Sequence, residues 1–291
     1  MTYRSATRAA ALAALPALCL ICLPVAAQMP DSRGAVPAPS GPPAPPYADL
    51  ADLMLASPVV ADATIRSTTR IKGAEAANVA PGRQRLYVQA DVAALIRGEA
   101  GLPPRVGFLS DVPLDARGRV PSLKKQRVLL FARRVPGSAD QLQLAGPRAQ
   151  VAWSPATDSR VRQIAREIVA ADAPPAITGI GNAFHVPGAL PGEGETQVFL
   201  QTADNRPVSL SILRRPGEQP RWSVSLGEIV EEGAGPPPRD TLLWYRLACA
   251  LPATLPAGAT DQLALADATS AQEDYRVVIA ALGPCGRSGG A

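Results

Sequence analysis

The sequence predicts a β-rich α+β protein: a small β-barrel, then an α+β module built around an antiparallel meander. Three observations carry this. Short segments with alternating apolar residues recur between Gly- and Pro-rich breaks from residue 59 onward. The clearest helical periodicity lies in one stretch, 158–171. Three of the later strand-like segments are joined by turns of a few residues, as in a meander.

Residues 1–27 read as a secretory signal peptide. Arg4 and Arg8 form a basic start, Ala9 to Ala27 is apolar, and Val25-Ala26-Ala27 places small or β-branched residues before a cleavage site at Gln28. Pro16 and Pro24 disfavour a permanent anchor helix, since each removes a backbone donor. Residues 28–46 are a Pro-rich linker, which favours extended polyproline conformations. The barrel module is assigned to 47–155 and the α+β module to 156–291.

Within the first module, Leu50, Leu53 and Met54 recur at helical spacing until Pro58. Strands are expected over 59–66, 84–96, 105–109 and 126–133, with one or two closing strands around Leu142, Leu144 and Val151–Trp153. The unbroken run Val128-Leu129-Leu130-Phe131 is the pattern of a strand covered on both faces. A helix over 158–171 is expected to be capped by Thr157 or Asp158, with Val161, Ile164, Ile168 and Val169 as its apolar stripe. Strands follow over 177–186, 196–202, 207–214 and 222–230. A helix over 241–251, capped by Asp240, precedes a final strand over 275–282 with Val277 and Ile279 inward.

The order of strands in the first module resembles the OB-like barrels of netrin-type modules. Leu95-Ile96-Arg97-Gly98 stands where those have a strand ending in a basic-Gly turn. Lys125-Gln126-Arg127-Val128-Leu129-Leu130-Phe131 stands where they have an apolar strand after a basic turn. The resemblance covers 57–135 and implies an OB-like β-barrel. The N-terminal cysteines usual in netrin-type modules are missing, so their protease inhibition is not carried over. By composition the whole chain resembles the uncharacterised Ala/Pro/Arg-rich exported proteins of GC-rich bacteria, a likeness that implies export and no particular activity.

Without the leader, which holds two Arg and no acid, the formal charge falls from +4 to +2, and nothing favours nucleic acid as a partner. The leader also holds Cys19 and Cys22. Cys249 and Cys285 remain, and in an oxidising compartment they are expected to pair. The bond would close a loop of 36 residues, stabilising by roughly 3–4 kcal/mol. No apolar run after residue 27 is long enough to span a bilayer.

Chemistry-bearing motifs are sparse. His185 is the single histidine, which excludes H-E-x-x-H zinc sites. It is a candidate polar site, read first as structural; a hydrolase would have to pair it with a Ser or an acid. Ser122-Leu123-Lys124-Lys125 matches S-x-x-K, but Pro121 and the following strand deny it a helix. Gly179-Ile180-Gly181 lacks the third glycine and the helix of a dinucleotide loop. Glu193 and Glu195 read as a solvated turn. Glu228, Glu231 and Glu232 form a second acidic group without a calcium-loop pattern. Lys124, Lys125, Arg133 and Arg134 form a candidate anionic-surface patch if they share a face, and otherwise protect strand edges. Neither a metal nor a cofactor is expected. The expectation is a periplasmic or secreted, non-enzymatic binding or scaffolding protein whose partner is an envelope protein or polymer. The alternatives are a hydrolase centred on His185 and a protease inhibitor.

Overall fold

The computed structural model describes residues 44–227 and 235–289. The leader, the linker up to residue 43 and the glutamates 228, 231 and 232 lie outside the described residues. Helix α1 (Tyr47–Ala56) opens the fold, burying Tyr47, Leu50, Ala51 and Met54 on one face. Six strands follow: β1 (Val59–Arg70), β2 (Arg83–Arg97), β3 (Arg105–Pro113), β4 (Arg127–Arg134), β5 (Gln141–Leu144) and β6 (Gln150–Ala152). They pair in the order β1-β2-β3-β5-β4-β6, and β1 also pairs with β4. That second pairing closes five strands into a barrel, with β3 and β5 parallel and the other pairs antiparallel. The order 1-2-3-5-4-1 is the OB-like arrangement expected for this module.

Closure depends on β1, which pairs with β4 over Val59–Thr64 and with β2 over Val60–Arg70. Three register shifts in the β1–β2 ladder let the strand coil enough to serve both neighbours. The interior is filled by Ala63, Ile65, Leu86, Val88, Ala90, Val106, Phe108 and Leu130. Strand β4 is buried on both faces. Val128, Leu130 and Ala132 enter the barrel, while Leu129 and Phe131 enter a second apolar cluster. The uninterrupted run in the sequence is the trace of this double burial.

The second cluster is built by α1, by α2 (Pro155–Val169) and by a four-stranded antiparallel sheet. Its strands, in the order β10-β9-β8-β7, are β7 (Ile177–Pro187), β8 (Gly194–Thr202), β9 (Val208–Arg214) and β10 (Arg221–Ser225). Helices α3 (Leu242–Ala248) and α4 (Leu265–Leu282) complete it. Glu167 joins three helices: it accepts from the Tyr47 hydroxyl at 2.7 Å and from the Leu242 amide at 2.9 Å. Among the described residues, no helix is long and apolar enough to cross a membrane.

Several local expectations are corrected. Ser154, not Thr157 or Asp158, caps α2, accepting from the Thr157 amide, with Pro155 in the first turn where its missing N–H costs nothing. Thr241, not Asp240, caps α3; Asp240 instead adopts φ 60° ahead of it. Residues 275–282, expected as a strand, are the second half of α4. Ala271, Asp274, Tyr275, Val278 and Leu282 are its buried positions, a helical spacing that an aspartate on the core face disguises. Gly283, at φ 66°, ends the helix by donating to the Ile279 carbonyl. Cys249 and Cys285 are bonded as expected, but they join the end of α3 to the segment after α4 rather than to a strand.

Candidate functional site

A groove of about 560 Å³ lies across the outer face of β2, β3 and β5. It arises from register. Strand β3 pairs with β2 over its whole length, from Arg105 to Pro113, but with β5 only at Gly107 and Phe108. Beyond Phe108 the two parallel strands diverge as β5 turns to pair with β4, and the gap becomes the groove.

Outward residues of the alternating strands line it. Arg85 and Asp111 face each other across the β2–β3 ladder in a two-pronged pair, Nε and Nη2 to the two carboxylate oxygens, both at 2.8 Å. The hydrogen bonds from Arg85 hold the Asp111 carboxyl below the usual carboxylate range and raise Arg85 in turn. Arg85 also donates to the Glu75 carbonyl, which fixes the β1–β2 loop at the groove's rim. Arg83 donates to the Asp111 carbonyl through Nε and Nη2, blunting the free edge of β3.

Tyr87 lies across β3 and its hydroxyl accepts from Gln141 Nε2 at 3.1 Å. Position 107 must be glycine for this, because a Cβ there would stand 2.2 Å from the Tyr87 hydroxyl. Leu109 stays 52% exposed in the groove, which Val135, Leu144 and Pro147 also line. The site is thus a shallow floor of neutralised charge and hydrogen-bonding amides, bordered by these apolar side chains. It can hold a neutral or mildly polar ligand and offers no nucleophile beside a base.

His185 sits elsewhere, on β7 under α4. Its Nδ1 is 2.8 Å from the Thr196 hydroxyl and 3.8 Å from Asp274 Oδ2, and its side chain is 7% exposed. Thr196 donates to Asp274, and Arg214 Nε binds the other Asp274 oxygen. Since the hydroxyl proton goes to the carboxylate, Thr196 can only accept from the ring, so His185 carries its proton on Nδ1. In a catalytic triad the imidazole lies between hydroxyl and acid; here the hydroxyl lies between imidazole and acid. Gly194 packs against the ring, and a Cβ there would come within 2.8 Å of Cε1.

The four basic residues singled out in the sequence do not form one patch. Lys124 and Lys125 occupy the turn before β4, Lys125 at φ 69°, while Arg133 and Arg134 end that strand, roughly 25 Å away at 3.3 Å per residue. Arg133 binds Gln143, and Arg134 binds the carbonyls of Ala100 and Gly101. Ser122 lies in the loop before β4, so its S-x-x-K spacing has no helix beneath it. Glu193 turns back to accept from the Leu190 amide. Among the described residues, no group of three or more His, Cys, Asp or Glu could hold a metal ion.

The groove residues escaped sequence reasoning because outward strand positions look like any solvent face. The one local signal was Gly107 inside a strand pattern, a mark of close approach. No protein-family model matches the chain, and no curated protein matches it.

Proposed function

We propose that the chain is an exported, non-enzymatic binding protein of the cell envelope, and that the groove on β2, β3 and β5 is its binding surface. The observation that carries the reading is the divergence of β3 from β5. It leaves a built concavity, with Tyr87 propped over Gly107, on the face that OB-type barrels use for ligands. The likeness of position is an analogy of fold; the residues supply the chemistry. The Arg85–Asp111 pair neutralises itself, which favours a neutral polar chain, sugar-like or peptide-like, over a polyanion. The disulfide supports an oxidising compartment, and the basic-apolar leader supports export to it. The hydrolase reading has less support, since the only histidine is sealed in a knot whose hydroxyl is already committed to Asp274.

A photo-crosslinking residue in place of Leu109, in cells of the native host, tests the surface. A control at Leu265, which is 86% exposed, reports random encounters. One discrete adduct from position 109, absent at 265 and lost on Asp111→Arg, is the expected result. Identical adducts from both positions, or none from 109, would end the reading. Mass spectrometry of the exported protein should find Gln28 at its start.

A further inference from the structure

A second concavity, of about 390 Å³, lies between the end of β2 and the outer face of α2. One wall is Ile96 and Arg97. The other is Arg162, Ala165, Arg166 and Val169, which recur at i, i+3, i+4 and i+7 and therefore form a single stripe of the helix, beside the face that buries Val161 and Ile164. Three arginines thus border a small apolar surface; Arg162 is paired with Asp158, whose carboxylate does not line the space, so the uncompensated charge comes from Arg97 and Arg166.

Two of the three are held in place by the fold. Arg97 Nη1 donates to the Met54 carbonyl at the end of α1, and Arg162 Nε donates to Asp158 at 2.9 Å. A guanidinium has five N–H donors, so each keeps several for a visitor. Arg166 is exposed and has no hydrogen bond or ion pair among the described residues. Val169 is 74% exposed beside it, which leaves an apolar contact next to the charges. Fixed cationic donors round an apolar wall suit a molecule with an anionic head and a short apolar tail.

We propose that this cleft binds an anionic amphiphile, its phosphate or carboxylate head on Arg97, Arg162 and Arg166 and its tail along Ile96, Ala165 and Val169. The site is separate from the barrel groove and does not depend on its role.

Calorimetric titration of the full exported chain separates the parts of the proposal. Dodecyl phosphate supplies head and tail, inorganic phosphate the head alone, and dodecyl maltoside the same tail under an uncharged head, each kept below its micellar concentration. Dodecyl phosphate should bind one to one, at least about tenfold tighter than either of the others. Arg166→Gln should weaken it about tenfold, the loss of one charge-assisted contact, with unchanged circular dichroism because Arg166 holds nothing else. Val169→Asn, which removes the apolar contact without adding charge, should weaken dodecyl phosphate and leave inorganic phosphate as it was. Flotation with phosphatidylglycerol vesicles identifies the source: retention that Arg166→Gln abolishes places the head in a bilayer, whereas calorimetric binding without retention assigns a free amphiphile. Dodecyl maltoside or phosphate binding as tightly as dodecyl phosphate, an Arg166→Gln protein indistinguishable from the parent, or no heat from dodecyl phosphate would each overturn the proposal.

Discussion

In the barrel groove, Arg85 pairs with Asp111 while about a quarter of each side chain still meets water. Under α4, Arg214 pairs with an Asp274 that water does not reach. The residue types are the same and the consequences differ. A pair that keeps part of its hydration gains less from pairing than a buried one, so either partner can turn to a ligand at lower cost. A pair whose carboxylate is fully buried has its acceptors filled, by Arg214 and Thr196, and removing one member leaves the other without compensation. The groove can therefore serve recognition, and the knot holds α4 to the second sheet.

Asp274→Ala should have the largest effect. It strips Arg214 and Thr196 of their acceptor and should cost about 4 kcal/mol in chemical denaturation; a loss below about 1 kcal/mol would mean the knot is no tighter than the groove. Replacing Cys249 and Cys285 by Ala, which frees the chain after α4, should cost roughly 3–4 kcal/mol by the same measurement. Gly107→Ala acts on the other region. It should displace Tyr87, cost about 1 kcal/mol, and show as a changed Tyr87 ring environment by NMR with the fold retained.

A third cluster is more exposed than either pair. Asp52 accepts from Arg287 at 2.7 Å and from the Tyr245 hydroxyl at 2.5 Å, tying the last described residues to α1. Burial pushes its carboxyl up, but Arg287 and Tyr245 outweigh that and hold it below the ordinary value. A carboxyl lowered by folding stabilises above its unfolded pKa and loses that contribution as pH falls through the folded one. Asp52→Asn should then cost about 0.5–1 kcal/mol at pH 7, allowing for solvent screening of a pair more than a third exposed. The gap from the parent should close as pH falls below about 4, in thermal melts across pH. A gap that widens in acid would reverse the assignment. Arg85→Gln should likewise change stability by less than about 1 kcal/mol while abolishing crosslinking from position 109.

The barrel was readable because its strands alternate cleanly and end at Gly or Pro: Leu86, Val88 and Ala90 point inward as their spacing requires. Helix α4 was not, because Asp274 stands where the pattern needs an apolar residue, and Val277 with Ile279 mimics a strand. Its partners, Thr196 and Arg214, come from strands 78 and 60 residues away, which local periodicity cannot report. The groove failed to show for a related reason. Tyr87 and Gln141 are 54 residues apart, and only the brief parallel pairing of β3 with β5 brings them together. His185 was correctly placed near the end of a strand, yet its neighbours belong to other elements.

Strand β4, covered on both sides, has a practical corollary for anyone cutting the chain. A fragment ending near residue 155 would keep every barrel strand and α1, yet leave Leu129 and Phe131 without the second sheet and the helices α2, α3 and α4 of their cluster. Such a fragment should self-associate, and grafting the barrel onto another host would first require those two side chains to be made polar.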